Sequence, residues 1–220
     1  MNPLTILQDS LYFFRRNFLS ILGLCLPLVI IEALAKQAVS TVMTAAYLPS
    51  YELLVGLLFY PLYTGALILF LDARTRGEQP VKRHLLAMAL RLWPTFAVLA
   101  GCSTLMIMFG LSLFVIPGIW VMIKLAFSEY LLVLRGMTPF VAMRASFLMT
   151  QGHLWRIFVC VLCVYLPLSV LEAASFYVLP EQQNPLLTLT VDSISSFLQL
   201  FISVVLFRLF MLVENPSQRD

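Results

Sequence analysis

Long apolar runs separated by short polar clusters dominate the chain, and their spacing predicts helices. The runs cover about 18–46, 52–72, 93–114, 117–134, 155–179 and 188–211. Each is continuously apolar over roughly the 20 residues that a helix needs to cross a bilayer. None alternates with a period of two, so helices are predicted and a β-barrel is not. Before three of the runs the pattern changes to amphipathic. Pro3, Pro80 and Pro139 each open such a stretch, and proline suits a first helical turn, where its missing N–H costs nothing. In the first, Leu4, Leu7, Leu11, Phe14 and Phe18 share a face opposite Thr5, Asp9 and Arg16; in the second, Val81, Leu85, Met88 and Leu92 oppose Lys82, Arg83 and Arg91. The third aligns Phe140, Met143 and Phe147, with Arg144 close to that face. These stretches read as interfacial helices, apolar toward acyl chains and basic toward headgroups.

The pattern repeats. Arg16, Phe18, Leu22, Leu26, Pro27, Leu28, Glu32 and Ala33 recur 140 residues later as Arg156, Phe158, Leu162, Leu166, Pro167, Leu168, Glu172 and Ala173. The second and sixth runs match at the same offset through Leu58/Leu198, Leu69/Leu209 and Phe70/Phe210. The reading is a single membrane domain over 1–220 made of three units, 1–76, 77–135 and 136–220, each an amphipathic stretch followed by a helical hairpin. The fold class is therefore all-α: a polytopic bundle of six transmembrane helices with interfacial helices and an internal pseudo-repeat. Parallel repeats of this kind occur in transporters, but duplication alone assigns no activity.

Composition strengthens this picture. Hydrophobic residues make up 61% of the chain and charged residues 11%, with mean hydropathy +0.94. Soluble domains carry about 25% charged residues. Arg15, Arg16, Arg74, Arg76, Lys82, Arg83, Arg91, Arg135, Arg144, Arg156 and Arg219 all fall on one side of the predicted spans. The connections on the other side carry no Lys or Arg, so the positive-inside rule places both termini in the cytoplasm. No cleavable signal peptide is evident, since no small-residue cleavage site closes a short apolar core.

Ionisable residues inside the spans are the candidate chemistry, because each costs about 2.5–3.5 kcal/mol at the centre of a bilayer. Glu32 and Glu172 lie about 24 Å along their helices from Arg16 and Arg156, and Lys124 about 10 Å from Pro117, which puts all three in one outer layer. Lys36 is one turn from Glu32 on the same face. Two readings stand side by side: Glu32–Lys36 and Glu172–Lys124 as structural pairs that fix helix register, or the four residues as the lining of an outward-facing polar pocket for an amphiphile or small solute. Glu129 has no partner evident in the sequence. At the basic side, Arg15, Arg16, Lys82, Arg83, Arg144 and Arg156 are candidate contacts for anionic lipid.

Enzymatic signals are missing. Cys160 and Cys163 have redox spacing but lie within an apolar run, where thiols act as small hydrophobes. His84 and His153 have no second ligand at metal spacing, and no nucleophile–base motif or phosphate-cradling glycine loop is present. No cofactor or metal is expected. The basic residues flank spans and form no nucleic-acid stripe. The expected partners are membrane lipids and, in one reading, a lipid-like ligand; the oligomeric state is open.

The run Val115-Ile116-Pro117-Gly118-Ile119, the segment Met143-Arg144-Ala145-Ser146 and the ending Leu206-Phe207-Arg208-Leu209-Phe210-Met211-Leu212 resemble the YciC family of bacterial inner-membrane proteins. The Pro-Gly-Ile turn and the Arg-x-Ser helix are also similar to the membrane domain fused to some glycerophosphodiester phosphodiesterases. The resemblance implies six spans in a bacterial inner membrane and no established activity. It hints at phospholipid handling, and with no phosphodiesterase domain here it carries over no catalytic residue. Two functions remain in view: a non-enzymatic envelope protein that binds or moves an amphiphile or small solute, and a scaffold whose polar layer is purely structural.

Overall fold

A computed structural model describes residues 3–42, 48–178 and 185–214, and all of its regular structure is helical. The helices are α1 (Pro3–Val42), α2 (Leu48–Thr75), α3 (Lys82–Leu113), α4 (Val115–Leu125), α5 (Ser128–Arg135), α6 (Pro139–Met149), α7 (Leu154–Val178) and α8 (Pro185–Glu214). Five segments are long and apolar enough to cross a membrane, and α6 with α7 makes a sixth as a bent pair. The chain is an all-α, multi-pass membrane bundle.

Each of the three amphipathic stretches is helical from its proline or just after it, but they join the spans differently. In α1 and α3 the stretch runs into the span without interruption, giving helices of 40 and 32 residues. At 1.5 Å per residue these are about 60 and 48 Å long, well beyond a core of about 30 Å. Between α6 and α7 the axis turns by 104°. The difference is local: Gly152, at φ +80°, takes the left-handed conformation at this corner, which suits glycine, and neither of the long helices has such a residue. Instead of standing alone, α6 folds back on α5 and α4 and buries Ala142, Met143 and Ser146.

Two further breaks depart from the predicted spans. The turn between α3 and α4 is one residue long, Phe114, where a short loop at Val115-Ile116 is predicted. Glycine makes it possible. A Cβ on Gly110 would sit 2.9 Å from the Gly118 Cα, and one on Gly118 would sit 2.4 Å from Leu111. The fourth span is interrupted at Ala126-Phe127, between α4 and α5. Serine hydroxyls divert the backbone there: Ser128 donates to the Leu125 carbonyl at 2.6 Å, while Ser146 accepts from the Phe127 N–H at 3.2 Å and donates to the Lys124 carbonyl at 2.7 Å. Such competition with the i→i−4 ladder bends helices. Trp93 donates its indole N–H to the Leu58 carbonyl at 2.8 Å, next to the carbonyl that Pro61 leaves without a helical donor.

Around the bundle α1 packs on α2, α2 on α3, and α3 on α4; on the other side α7 packs on α8 and α8 on α1. The seam between α4 and α7 is the thinnest junction among these neighbours, with α6 beside it. Inside this ring α2 touches both α5 and α8. Aromatic residues fasten the centre. Tyr60 donates to Glu129 at 2.7 Å, joining α2 to α5, and Tyr130 donates to the Ser203 carbonyl at 2.8 Å, joining α5 to α8. The Tyr130 ring stacks on Phe210 with centroids 5.5 Å apart. The core therefore sits along the helices that close each hairpin, with α1, α3 and α7 outside them.

Candidate functional site

The predicted polar layer is only partly assembled. Glu32 is buried and pairs with Lys36 at 2.7 Å, as helical neighbours four apart should. Gly56 on α2 lies close by, since a Cβ there would be 3.7 Å from Glu32 Oε1, and the Tyr63 phenol faces the same carboxylate. Glu32 Oε2 is buried without a hydrogen-bond partner among the described residues. Lys124 is only 5% exposed, so it faces protein. Its amine donates to the Phe147 carbonyl at 3.3 Å and lies over the Trp120 ring at 5.7 Å. No described carboxylate is in ion-pair range of it. The Glu172 side chain lies outside the described residues. Glu129 has Tyr60 as its partner. Each of these intramembrane groups is thus held singly, by a neighbour on its own or an adjacent helix.

A larger polar feature lies at the basic end of the bundle. There the start of α1 and the ends of α2, α5 and α8 surround a cavity of about 1070 Å³. Five arginines line it, Arg16, Arg74, Arg76, Arg135 and Arg208, against three carboxylates, Asp9, Asp72 and Glu214. Gly77 and Gly136 follow Arg76 and Arg135 with φ +80° and +62°. Left-handed glycines of this kind terminate helices, so Arg135 ends α5 and Arg76 directly follows α2 at the rim.

The carboxylates occupy three of the arginines. Arg76 pairs with Asp72 at 2.8 Å, Arg208 with Asp9 at 3.4 Å, and Arg135 with Glu214. Arg16 and Arg74 have no carboxylate partner among the described residues, and the Arg74 guanidinium lies 5.8 Å from the Phe70 ring centroid. Deeper in the wall, Ser10 Oγ, Arg74 Nε and Arg208 Nε are buried with no hydrogen-bond partner among the described residues. The basin therefore holds a surplus of two positive charges and several unsatisfied donors. A cluster of guanidinium groups in that state can bind an anion through forked hydrogen bonds.

Of the arginines and lysines singled out as lipid contacts, only Arg16 reaches this basin. Arg15, Arg83, Arg144 and Arg156 are exposed. Lys82 is exposed too, and its amine lies against α1, where a Cβ on Gly23 would come within 2.3 Å. The basin's other arginines went unpredicted as a set, because three helices distant in sequence supply them. One signal was available: Arg76-Gly77-Glu78-Gln79-Pro80 recurs as Arg135-Gly136-Met137-Thr138-Pro139, 59 residues later. It marks equivalent rims at the ends of two hairpins. Of the cysteines, Cys160 is buried and Cys163 exposed, both free thiols. No group of three His, Cys, Asp or Glu residues suited to a metal occurs among the described residues.

Comparison with known proteins points to bacterial membrane proteins named without an activity. A protein of Yersinia pestis (strain Pestoides F) named "UPF0259 membrane protein" is 25% identical over 191 residues, covering 86% of this chain and 72% of its own. A Yersinia pseudotuberculosis protein (serotype O:1b, strain IP 31758), named "UPF0259 membrane protein YpsIP31758_1942", matches to the same extent. No family model matches the chain, and no solved structure does.

Proposed function

We propose that this protein is a non-enzymatic protein of a bacterial inner membrane that binds an anionic amphiphile or small anion in the basin, with the basin and both termini on the cytoplasmic side. The observation that carries this reading is the surplus of arginine over carboxylate around one cavity. Arginines that only set topology are satisfied by lipid at the periphery. These instead line one partly open basin between four helices. The amphiphile expected from sequence is kept, while its site moves from the outer polar layer to the basic end. The resemblance to YciC-like proteins agrees with the inner-membrane location.

The intramembrane layer supports the second reading, a structural one, for Glu32, Lys36 and Lys124. Glu32 pairs with Lys36 through Oε1, and Lys124 has a carbonyl and an aromatic face. The test of the first reading is the melting temperature of the purified full chain in mixed micelles. Phosphatidylglycerol should raise it relative to phosphatidylcholine, and added salt should erode the gain, because exposed charge is screened beyond about 10 Å at 0.1 M. Equal melting in both lipids contradicts the proposal.

A further inference from the structure

The basin's charge pattern specifies more than an anion. Its three carboxylates each hold one arginine, leaving Arg16 on α1 and Arg74 on α2 without a counter-charge among the described residues. Because α1 and α2 are the two arms of one hairpin and pack side by side, these two guanidinium groups line the cavity from adjacent walls. Ser10, six residues before Arg16 on the same helix, adds a buried hydroxyl with no partner among the described residues. Two forked cations, one hydroxyl and a surplus of two positive charges match a tetrahedral group with several acceptor oxygens and a charge near −2. A phosphate monoester has this character, at about −1.5 to −2 near neutral pH. A carboxylate or a phosphodiester, with one charge, leaves the surplus half neutralised.

Resting on the anion-binding reading above, we infer that the basin is a phosphomonoester site in which Arg16 and Arg74 hold the phosphate. The three internal ion pairs then act as competitors. Asp9 holds Arg208 at 3.4 Å, against 2.8 Å for Asp72 with Arg76, so it is the more readily exchanged. The volume of about 1070 Å³ exceeds what a single phosphate fills. The site thus admits inorganic phosphate, or the headgroup of a lipid whose terminal phosphate is unesterified. Its position at the ends of the spans suits either source.

Thermal melting of the full chain in detergent tests this. The probes are inorganic phosphate, chloride at matched ionic strength, and mixed micelles of phosphatidylcholine with phosphatidic acid or phosphatidylglycerol. Saturating phosphate or phosphatidic acid is expected to raise the wild-type midpoint by about 5 °C, as ligand bound only to the folded state does. Whichever of the two acts at lower concentration identifies the source. Arg16→Gln with Arg74→Gln should abolish the shift, while Arg83→Gln, outside the basin, keeps it. Asp9→Asn should move the half-maximal concentration down about threefold, releasing Arg208 to the ligand. This variant removes one negative charge, leaves Arg16 and Arg74 in place, and keeps the inference testable should the double variant not fold. A response to phosphatidylglycerol equal to that of phosphatidic acid, with inorganic phosphate inert, would overturn the phosphomonoester assignment and leave the anion reading standing. No response to any of these anions beyond chloride would remove both.

Discussion

On one helix, α1, charge is handled in two ways. Glu32 meets Lys36 a turn later at 2.7 Å and is almost wholly buried. Arg16, in the N-terminal half of the same helix, meets no carboxylate among the described residues and borders a cavity. The first arrangement gives a buried charge a private partner, here on the same helix, and the rest of the intramembrane layer does so across helices. Lys124 is held by Phe147 and Trp120, and Glu129 by Tyr60. The basin is incomplete in the opposite sense, with more cations than anions and with buried donors unanswered. Depth in a membrane makes a charged residue expensive, but cost alone does not mark a binding site. An expensive residue with a private partner holds the bundle together. A ligand is recognised where the protein leaves charge unpaired within reach of an opening.

Three substitutions press on this contrast, ordered by their expected effect on stability. Lys36→Met should be the most damaging, at about 3 kcal/mol, because it strands the buried Glu32 carboxylate. Adding Glu32→Gln should recover most of the lost melting temperature. No recovery would mean that Lys36 acts by packing and not by pairing. Tyr60→Phe should cost about 1–2 kcal/mol, since it removes the donor that Glu129 uses to join α2 and α5. An unchanged melting curve would remove that bond from the account. Arg16→Gln with Arg74→Gln should change stability by no more than about 0.5 kcal/mol in the absence of added anion, as neither has a charged partner to lose. A loss of several kcal/mol would show that these arginines are structural and would erase the distinction.

The sequence made the helices and the Glu32–Lys36 pair legible, because both depend on spacing along one chain segment. Pro3 and Pro139 open their helices as expected, while Pro80 lies two residues before α3 begins at Lys82. The break in the fourth span was not legible, since Ser146 reaches it from another helix. Nor was the bend at Gly152, because glycine tolerates both the helical and the left-handed conformation. The basin was hidden for a related reason. A run of basic residues on one side of the spans gives topology by counting, whereas convergence on a cavity depends on how each helix is rotated. The Arg-Gly-x-x-Pro recurrence at 76–80 and 135–139 was the one local trace of it, and its glycines are the residues that end α2 and α5 at the rim.

In the proposed complex an anion sits between Arg16 and Arg74. A structure of the full chain soaked with tungstate, a tetrahedral dianion that scatters anomalously, tests it most directly. The strongest anomalous peak is expected inside the basin, within hydrogen-bond distance of both guanidinium groups. Peaks confined to the outward basic faces at Arg83, Arg91 or Arg144, with the basin empty, would contradict it.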